Sequence, residues 1–331
     1  MNFYKNKVIL ITGGTGTFGQ RCTEILLKYK PKKIIIFSRD EFKQFEMAEK
    51  FKNKSLRFFL GDVRDLPRLE TAMQNVDIVI HSAALKQVPA AEYNPMECIK
   101  TNIIGAENII NSSLKNNVKK VLALSTDKAA NPVNLYGATK LCSDKLFINA
   151  HHYRGQLETS FAVVRYGNVI GSRGSVLPYF KKLIKNNEKS LPITHEQMTR
   201  FWISLDEGVN FVLQSIERMF GGELFIPKMP SIKILDLAES LKKNFKYHLI
   251  GIRPGEKIHE TLCPQDSARD TIEFKKYFII RPNFDFSQGK SKNYLLSKSK
   301  EIGKKVSDNF IYSSDQNTYF LSVNEIKKLN N

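Results

Sequence analysis

The sequence predicts an α/β fold in which a doubly wound parallel sheet carries a smaller, discontinuous α/β lobe. Three observations support this. A glycine-rich turn stands between an apolar strand and a helical pattern at residues 7–27. Short apolar runs then alternate with helix-period segments as far as Arg165, the rhythm of parallel strands joined by crossover helices. Beyond Arg165 the rhythm breaks into glycine- and serine-punctuated loops and mixed segments. This assigns 1–167 to the sheet domain, with 201–230 returning to it, and 168–200 with 231–331 to a substrate-binding lobe. At 331 residues the chain is long enough for two such units.

The first strand, Lys7 to Thr12, runs into Gly13-Gly14-Thr15-Gly16-Thr17-Phe18-Gly19 and then a helical pattern through Leu27. Glycines at 13, 16 and 19 let a backbone approach a diphosphate, and the helix that follows turns its positive end toward it. This is the Rossmann arrangement, with a G-x-x-G-x-x-G spacing. The second strand, Lys33 to Phe37, ends where an acid normally grips the ribose of NAD. Ser38 and Arg39 stand there instead, a hydroxyl and a guanidinium suited to a 2′-phosphate, which favours NADP. Asp40 keeps the ribose-acid alternative open, and a surface ion pair is the plain alternative for Arg39. Glu41, Phe42 and Lys43 open the next helix and border the adenine end. Arg57 to Leu60 forms the third strand. Asp62 and Val63 follow it, where an adenine can rest or where Asp62 can cap a helix over Leu66–Met73. The fourth strand, Val76 to Ile80, ends at His81-Ser82-Ala83-Ala84, and Lys86 follows in a loop. A helix over about 95–114 leads to the fifth strand.

That fifth strand, Val121 to Leu124, delivers Ser125-Thr126-Asp127-Lys128 to a carboxyl end, where open α/β sheets bind ligands. Tyr136 and Lys140 follow at i and i+4 on one helix face, so a phenol and an ammonium lie one turn apart. The sixth strand, Ser160 to Arg165, opens the loop Tyr166 to Ser175, and a helix begins at Val176. The segment 204–219 and a strand over 223–226 read as the return to the first domain. A helix over 232–242 belongs to the second lobe.

The net charge is +18, but the lysines are spread along the chain with no nucleic-acid motif, which argues against a polynucleotide partner. Four separated cysteines without a C-x-x-C suggest reduced thiols in a cytoplasmic protein. No signal peptide or membrane span is expected. Six histidines form no ligand motif, so no metal is expected.

Three stretches together resemble the extended short-chain dehydrogenase/reductase family: Thr12 to Gly19, Tyr136-Gly-Ala-Thr-Lys140 and Arg253-Pro-Gly-Glu-Lys257. Within it, Ser125 to Pro132 and Tyr166 to Arg173 are similar to the nucleotide-sugar 4,6-dehydratases that invert C5 and serve pseudaminic acid biosynthesis for flagellin. Retaining dehydratases carry glutamate where this chain has Lys128. The resemblance implies NADP contacts from Gly13, Thr15, Gly16, Thr17, Phe18, Gly19, Ser38, Arg39, Asp40, Glu41, Phe42, Lys43, Asp62, Val63, Ser82, Tyr136, Lys140 and Asn168. It implies UDP-N-acetylglucosamine contacts from Lys86, Val169, Ile170, Gly171, Ser172, Arg173, Val176, Thr194, Arg253 and Glu256, with Arg253 gripping the diphosphate. Without it, Lys86, Thr194 and Glu256 read as ordinary surface. It also implies a homo-oligomer, a hexamer.

The catalytic set it implies is Thr126, Asp127, Lys128 and Tyr136, with Tyr136 and Lys140 serving oxidation at C4, Lys128 as base at C5 and Asp127 as acid toward the C6 hydroxyl. Free lysine, aspartate and tyrosine titrate near ~10.4, ~3.9 and ~10, so these roles need Lys128 and Tyr136 lowered and Asp127 raised. Burial works that way for Lys128 and Asp127, and Lys140 with a positive nicotinamide favours the phenolate. A retaining dehydratase, a nucleotide-sugar 4-epimerase and a non-catalytic NADP-sensing regulator are the alternatives. The epimerase leaves Asp127 and Lys128 idle, and the regulator has no need of Tyr136 with Lys140.

Overall fold

The computed structural model describes residues 3–172, 174–282, 293–298 and 300–330. In chain order it opens with β1 (Val8–Thr12), α1 (Thr17–Lys28), β2 (Lys33–Ser38), α2 (Glu41–Phe51), β3 (Leu56–Leu60), α3 (Leu66–Ala72) and β4 (Ile78–His81). Two short helices, α4 (Val88–Tyr93) and α5 (Pro95–Ile99), precede α6 (Gly105–Lys115), β5 (Lys120–Thr126), α7 (Leu135–Tyr153) and β6 (Ser160–Tyr166). The expected helix over 95–114 is interrupted by a π turn at Lys100–Ile104. That wider turn lets the buried Asn102 side chain bond both the N–H and the carbonyl of Leu85, each at 2.9 Å.

Strands β3-β2-β1-β4-β5-β6 lie side by side in parallel, and the order reverses between β1 and β4, the switch point at which such sheets bind ligands. Every residue of β1 and β4 is buried, as the unbroken runs Val8-Ile9-Leu10-Ile11 and Ile78-Val79-Ile80 anticipate for strands covered on both faces.

The chain then leaves the sheet through β7 (Asn168–Val169), α8 (Val176–Lys185), β8 (Leu191–Ile193) and β9 (Thr199–Ile203). It returns with α9 (Leu205–Arg218), which packs on α1, and β10 (Leu224–Pro227), parallel to β6. A capping box at Ser204 and Glu207 starts α9, so the return begins at about 204, a few residues later than expected. The remaining elements are β11 (Ser231–Lys233), α10 (Ile234–Leu241), β12 (Tyr247–Leu249), β13 (Thr261–Cys263), β14 (Thr271–Glu273), β15 (Tyr277–Ile280), β16 (Lys304–Lys305), β17 (Tyr312–Ser313) and α11 (Val323–Asn330).

Two expectations change here. The 223–226 strand is not the last of the large sheet, because β15, β14 and β16 add to β10 in antiparallel fashion and make ten strands. Residues 271–305 therefore belong in part to the first domain's sheet and not wholly to the second lobe. The physical reason is the apolar edge of β10, whose Phe225 and Ile226 are buried once β15 covers them. The smaller lobe is built on β11-β9-β7, with Trp202, Leu177, Ile232, Leu237, Leu321 and Ile326 as its core. Residues 232–233 are strand, so its helix α10 starts at Ile234. Among the described residues no helix is long and apolar enough to cross a membrane.

Candidate active site

One cleft of about 1420 Å³ runs from the glycine turn after β1 to the mouth of the smaller lobe. Ordinary small-molecule pockets hold roughly 300–1,000 Å³, so this cleft has room for two ligands end to end.

At one end, the turn after β1 is shaped by close approach. Gly13 has φ +65°, and its N–H is bonded to the Phe37 carbonyl at 2.9 Å. A β-carbon at Gly19 would stand 2.5 Å from Gly14 Cα, so only glycine lets α1 seat against the turn. The N-cap of α1 is Gly16, without a side-chain cap, and Thr15 to Phe18 line the cleft. Its first backbone N–H groups are thus open to an anion. Asn168 Oδ1 and Thr101 Oγ1, buried and without hydrogen-bond partners among the described residues, belong to residues lining the same cleft. A phosphate cradle and unpartnered polar atoms fit a dinucleotide.

Ser38, Arg39, Asp40 and Lys43 line this end, whereas Glu41 and Phe42 do not, and Phe42 is exposed on α2. Asp40 is the N-cap of α2, accepting from the Lys43 N–H at 3.0 Å and paired with the Lys43 ammonium. Its carboxylate is therefore engaged locally. Arg39 is half exposed and lies 3.4 Å from Asp62. Asp62 does not cap α3; Asp65 does, and Asp62 instead accepts from Arg64 at 2.7 Å. Val63 is buried against Gly105. The Ser82 hydroxyl donates to the Thr12 carbonyl at 2.6 Å.

The candidate catalytic groups lie midway, at the end of β5. Asp127 begins a single 3₁₀ turn, Asp127–Ala129, capped by Thr126, and Lys128 follows it. Helix α7 then starts at Leu135 behind its N-cap Asn134, whose amide also donates to the Gly255 carbonyl at 2.7 Å. This bond ties the site to the loop that carries Arg253 and Glu256. Tyr136 and Lys140 are both buried on α7, and both line the cleft. Thr126 Oγ1 donates to Asp127 Oδ1 at 2.9 Å, and Lys128 Nζ donates to the same oxygen at 3.2 Å.

Three residues that the sequence reading did not place among the site residues, Glu260, Lys257 and Arg200, complete the cluster. Glu260, 2% exposed, lies 3.3 Å from Lys128 Nζ and 3.3 Å from Lys257 Nζ, with Arg200 at 4.0 Å. Lys257 also donates to the Ala130 carbonyl at 2.8 Å. The only hint in the chain was position: Lys257 closes the Arg253–Lys257 stretch, and Glu260 follows it at i+3.

The protonation expectations are met in part. Burial raises the Asp127 carboxyl above its ordinary range, as its acid role needs. Lys128 goes the other way from expectation: burial works to lower it, but Asp127 and Glu260 on either side hold it above its ordinary value. Tyr136 also goes against expectation: burial pushes it up to about 12, which the Lys128 charge and the Thr126 hydroxyl only partly offset. Burial lowers Lys140, and Asp144 beside it works against that.

At the far end, Lys86, Val169, Ser172, Val176, Thr194, Arg253 and Glu256 line the cleft. Arg253 is held by Glu256 at 3.2 Å, and Arg200 reaches Glu256 at 3.5 Å. Ile170 packs into the smaller lobe's core, and Gly171 sits on the surface at φ +68°; neither lines the cleft. Arg173 lies outside the described residues.

Comparison with known proteins agrees with this geometry. Residues 9–282 match the family described as "Polysaccharide biosynthesis protein". The chain is 57% identical over 329 residues, 99% of its length and 98% of the relative's, to a UDP-N-acetylglucosamine 4,6-dehydratase (inverting) of Campylobacter jejuni. It is 42% identical, over 98% of this chain and 96% of the relative, to a UDP-glucose 4-epimerase of Rickettsia canadensis. Among solved structures, Pen from Bacillus thuringiensis superposes with a TM-score of 0.88 at 38% identity, covering 99% of this chain and 98% of that one. With its Rossmann sheet, its Tyr136/Lys140 pair and near full-length relatives of this kind, the chain belongs to the polysaccharide biosynthesis protein family.

Proposed function

We propose that the chain is an NADP-dependent UDP-N-acetylglucosamine 4,6-dehydratase that inverts C5, releasing water and a 6-methyl-4-keto sugar. The observation that carries this reading is the Asp127–Lys128 pair, 3.2 Å apart and in one cleft with Tyr136. An acid and a base beside the oxidation site are what loss of water across C5 and C6 requires, and chemistry at C4 alone leaves them without a task. The 57% identical relative bears the matching name.

A dinucleotide would be held by Gly13 to Gly19, by Ser38 and Arg39, and by Asp62, Val63, Ser82, Lys140 and Asn168. When bound it supplies a hydride acceptor at C4 that later returns the hydride to C6, and while oxidised its ring charge favours the Tyr136 phenolate. Tyr136 takes the O4 proton as C4 becomes a ketone, which makes the C5 hydrogen acidic. Lys128, as free amine, takes that C5 proton and becomes the ammonium. Asp127 gives its proton to the C6 hydroxyl, the C6–O bond breaks, and water leaves. A proton then reaches C5 from the opposite face. Arg253 anchors the diphosphate with a bidentate grip.

NADP in preference to NAD, a cytoplasmic homo-oligomer (a hexamer), and a place at the start of pseudaminic acid synthesis for flagellin are parts of this proposal supported by resemblance, with Ser38 and Arg39 as the added support for NADP. Incubation with UDP-N-acetylglucosamine followed by early-time NMR of the product tests the whole. A 6-methyl-4-keto sugar with inverted C5 is expected. A C4 epimer would instead favour the reading suggested by the 42% identical relative, a retained C5 the retaining dehydratase, and no turnover with cofactor bound an NADP-sensing regulator.

A further inference from the structure

Asp127 is served on one oxygen only. Oδ1 receives both the Thr126 hydroxyl and the Lys128 ammonium, while Oδ2 is buried without a hydrogen-bond partner among the described residues. An ionised carboxylate carries its charge on both oxygens, and leaving one of them buried and bare is unfavourable. A carboxylic acid lessens the conflict, because Oδ1 still accepts both bonds and the bare oxygen carries a neutral hydroxyl in place of a share of a charge.

Glu260 Oε2 likewise lacks a hydrogen-bond partner among the described residues, but this carboxylate is set among three cations, with Lys128 at 3.3 Å and Arg200 at 4.0 Å from Oε1 and Lys257 at 3.3 Å from Oε2, whereas Asp127 has Lys128 alone. Lys128 therefore has two carboxylates around one ammonium, and only one of them is backed by further positive charge. Ionising Asp127 as well would set two negative groups against a single shared cation. The other groups facing the pair are Tyr136, and Lys86 from the loop after β4, which repels Lys128 and so does not supply the missing counter-charge.

We propose that Glu260 is the counter-ion of Lys128 and that, by holding that charge, it leaves Asp127 carrying the proton it gives to the departing C6 hydroxyl. Glu260 is then a positioning residue that acts through Lys128. This assignment rests on the dehydratase reading for its reaction, though the resting proton on Asp127 does not. Glu260→Gln removes the charge, so Asp127 takes over as counter-ion and ionises, while Lys128 loses its proton more readily.

The two half-reactions should separate. In Glu260→Gln, exchange of the C5 hydrogen for deuterium is retained, with its pH limb moved toward acid. Loss of the C6 hydroxyl slows, and the ratio of exchange to dehydration rises by about tenfold or more. Glu260→Asp should restore the wild-type ratio in part. An equal loss of both steps, or an unchanged ratio, overturns the proposal. Infrared difference spectra of the wild type against Asp127→Asn at neutral pH, without substrate, give a second measure. A protonated-carboxyl stretch that disappears in Glu260→Gln is expected, and its absence from the wild type overturns the proposal even if the Glu260 variants do not fold. A wild type that leaves UDP-N-acetylglucosamine unchanged defeats the dehydratase reading instead, and the infrared result still decides the proton.

Discussion

Gly137 lies against the carbonyl of Lys128: a β-carbon there would stand 2.2 Å from that oxygen. The glycine after Tyr136 thus lets the first turn of α7 press on the 3₁₀ turn that carries Asp127 and Lys128, fixing the Lys128 and Tyr136 backbones relative to one another. Gly137→Ala is expected to cost about 1–3 kcal/mol of stability through overpacking, and to lower kcat more than it raises KM, because binding groups elsewhere in the cleft are untouched. Thermal melting with steady-state kinetics checks this. An alanine variant with wild-type kcat would mean that the turn yields without consequence.

Lys128 carries the steepest functional expectation. The Glu260 carboxylate holds its ammonium charged, so the free amine that would take the C5 proton is a minor form near neutrality. The rate of C5 exchange should therefore climb with pH, approaching tenfold per unit below the lysine pKa. Lys128→Ala should lower that exchange by about 10²–10⁴-fold while single-turnover oxidation at C4 persists. Exchange at the wild-type rate in the alanine variant would remove Lys128 from the base role.

At the proposed cofactor end, Arg39 is the group proposed to tell NADP from NAD; it is half exposed and lies 3.4 Å from Asp62. A guanidinium so placed can swing onto a 2′-phosphate without breaking a buried pair. Arg39→Ala should weaken NADP binding by about 1.5–3 kcal/mol, the worth of a charged hydrogen bond, and leave NAD binding nearly unchanged. Fluorescence titration with both cofactors measures the two losses. Equal losses would mean that Arg39 does not read the phosphate.

Much of this was legible in the chain because it is local. Gly13, Gly16 and Gly19 announce a turn through their spacing, buried strands announce themselves as apolar runs, and Tyr136 with Lys140 share a helix face by simple periodicity. The parts that escaped are relations across distance. Glu260 reaches Lys128 from 132 residues further along, and nothing near it distinguishes it from a surface carboxylate. The pull of that carboxylate also reversed the direction expected for Lys128, since burial alone was visible in the sequence. Strand β15 was hidden for a similar reason: Tyr277 to Ile280 is an ordinary apolar run, and its place in the large sheet comes from pairing with the edge of the distant β10, with β14 on its other side.

His81 offers a test independent of any substrate. It ends β4, 1% exposed, with Nδ1 2.8 Å from the Thr12 hydroxyl, and burial together with the Lys140 charge lowers its pKa to about 3. An unfolded histidine titrates near ~6.5. Between those values the unfolded chain binds a proton that the native state refuses, so stability falls as pH falls from about 6.5 toward about 3, by up to ~1.4 kcal/mol per pH unit. Above about 6.5 both states are neutral at this site, and it contributes no slope. His81→Asn keeps a group able to bond Thr12 but removes the titration, so its urea midpoint should depend less on pH across the acid range than that of the wild type. The difference between the two curves isolates His81 from the carboxylates that titrate in both proteins, and parallel curves would mean that the native state accommodates the imidazolium.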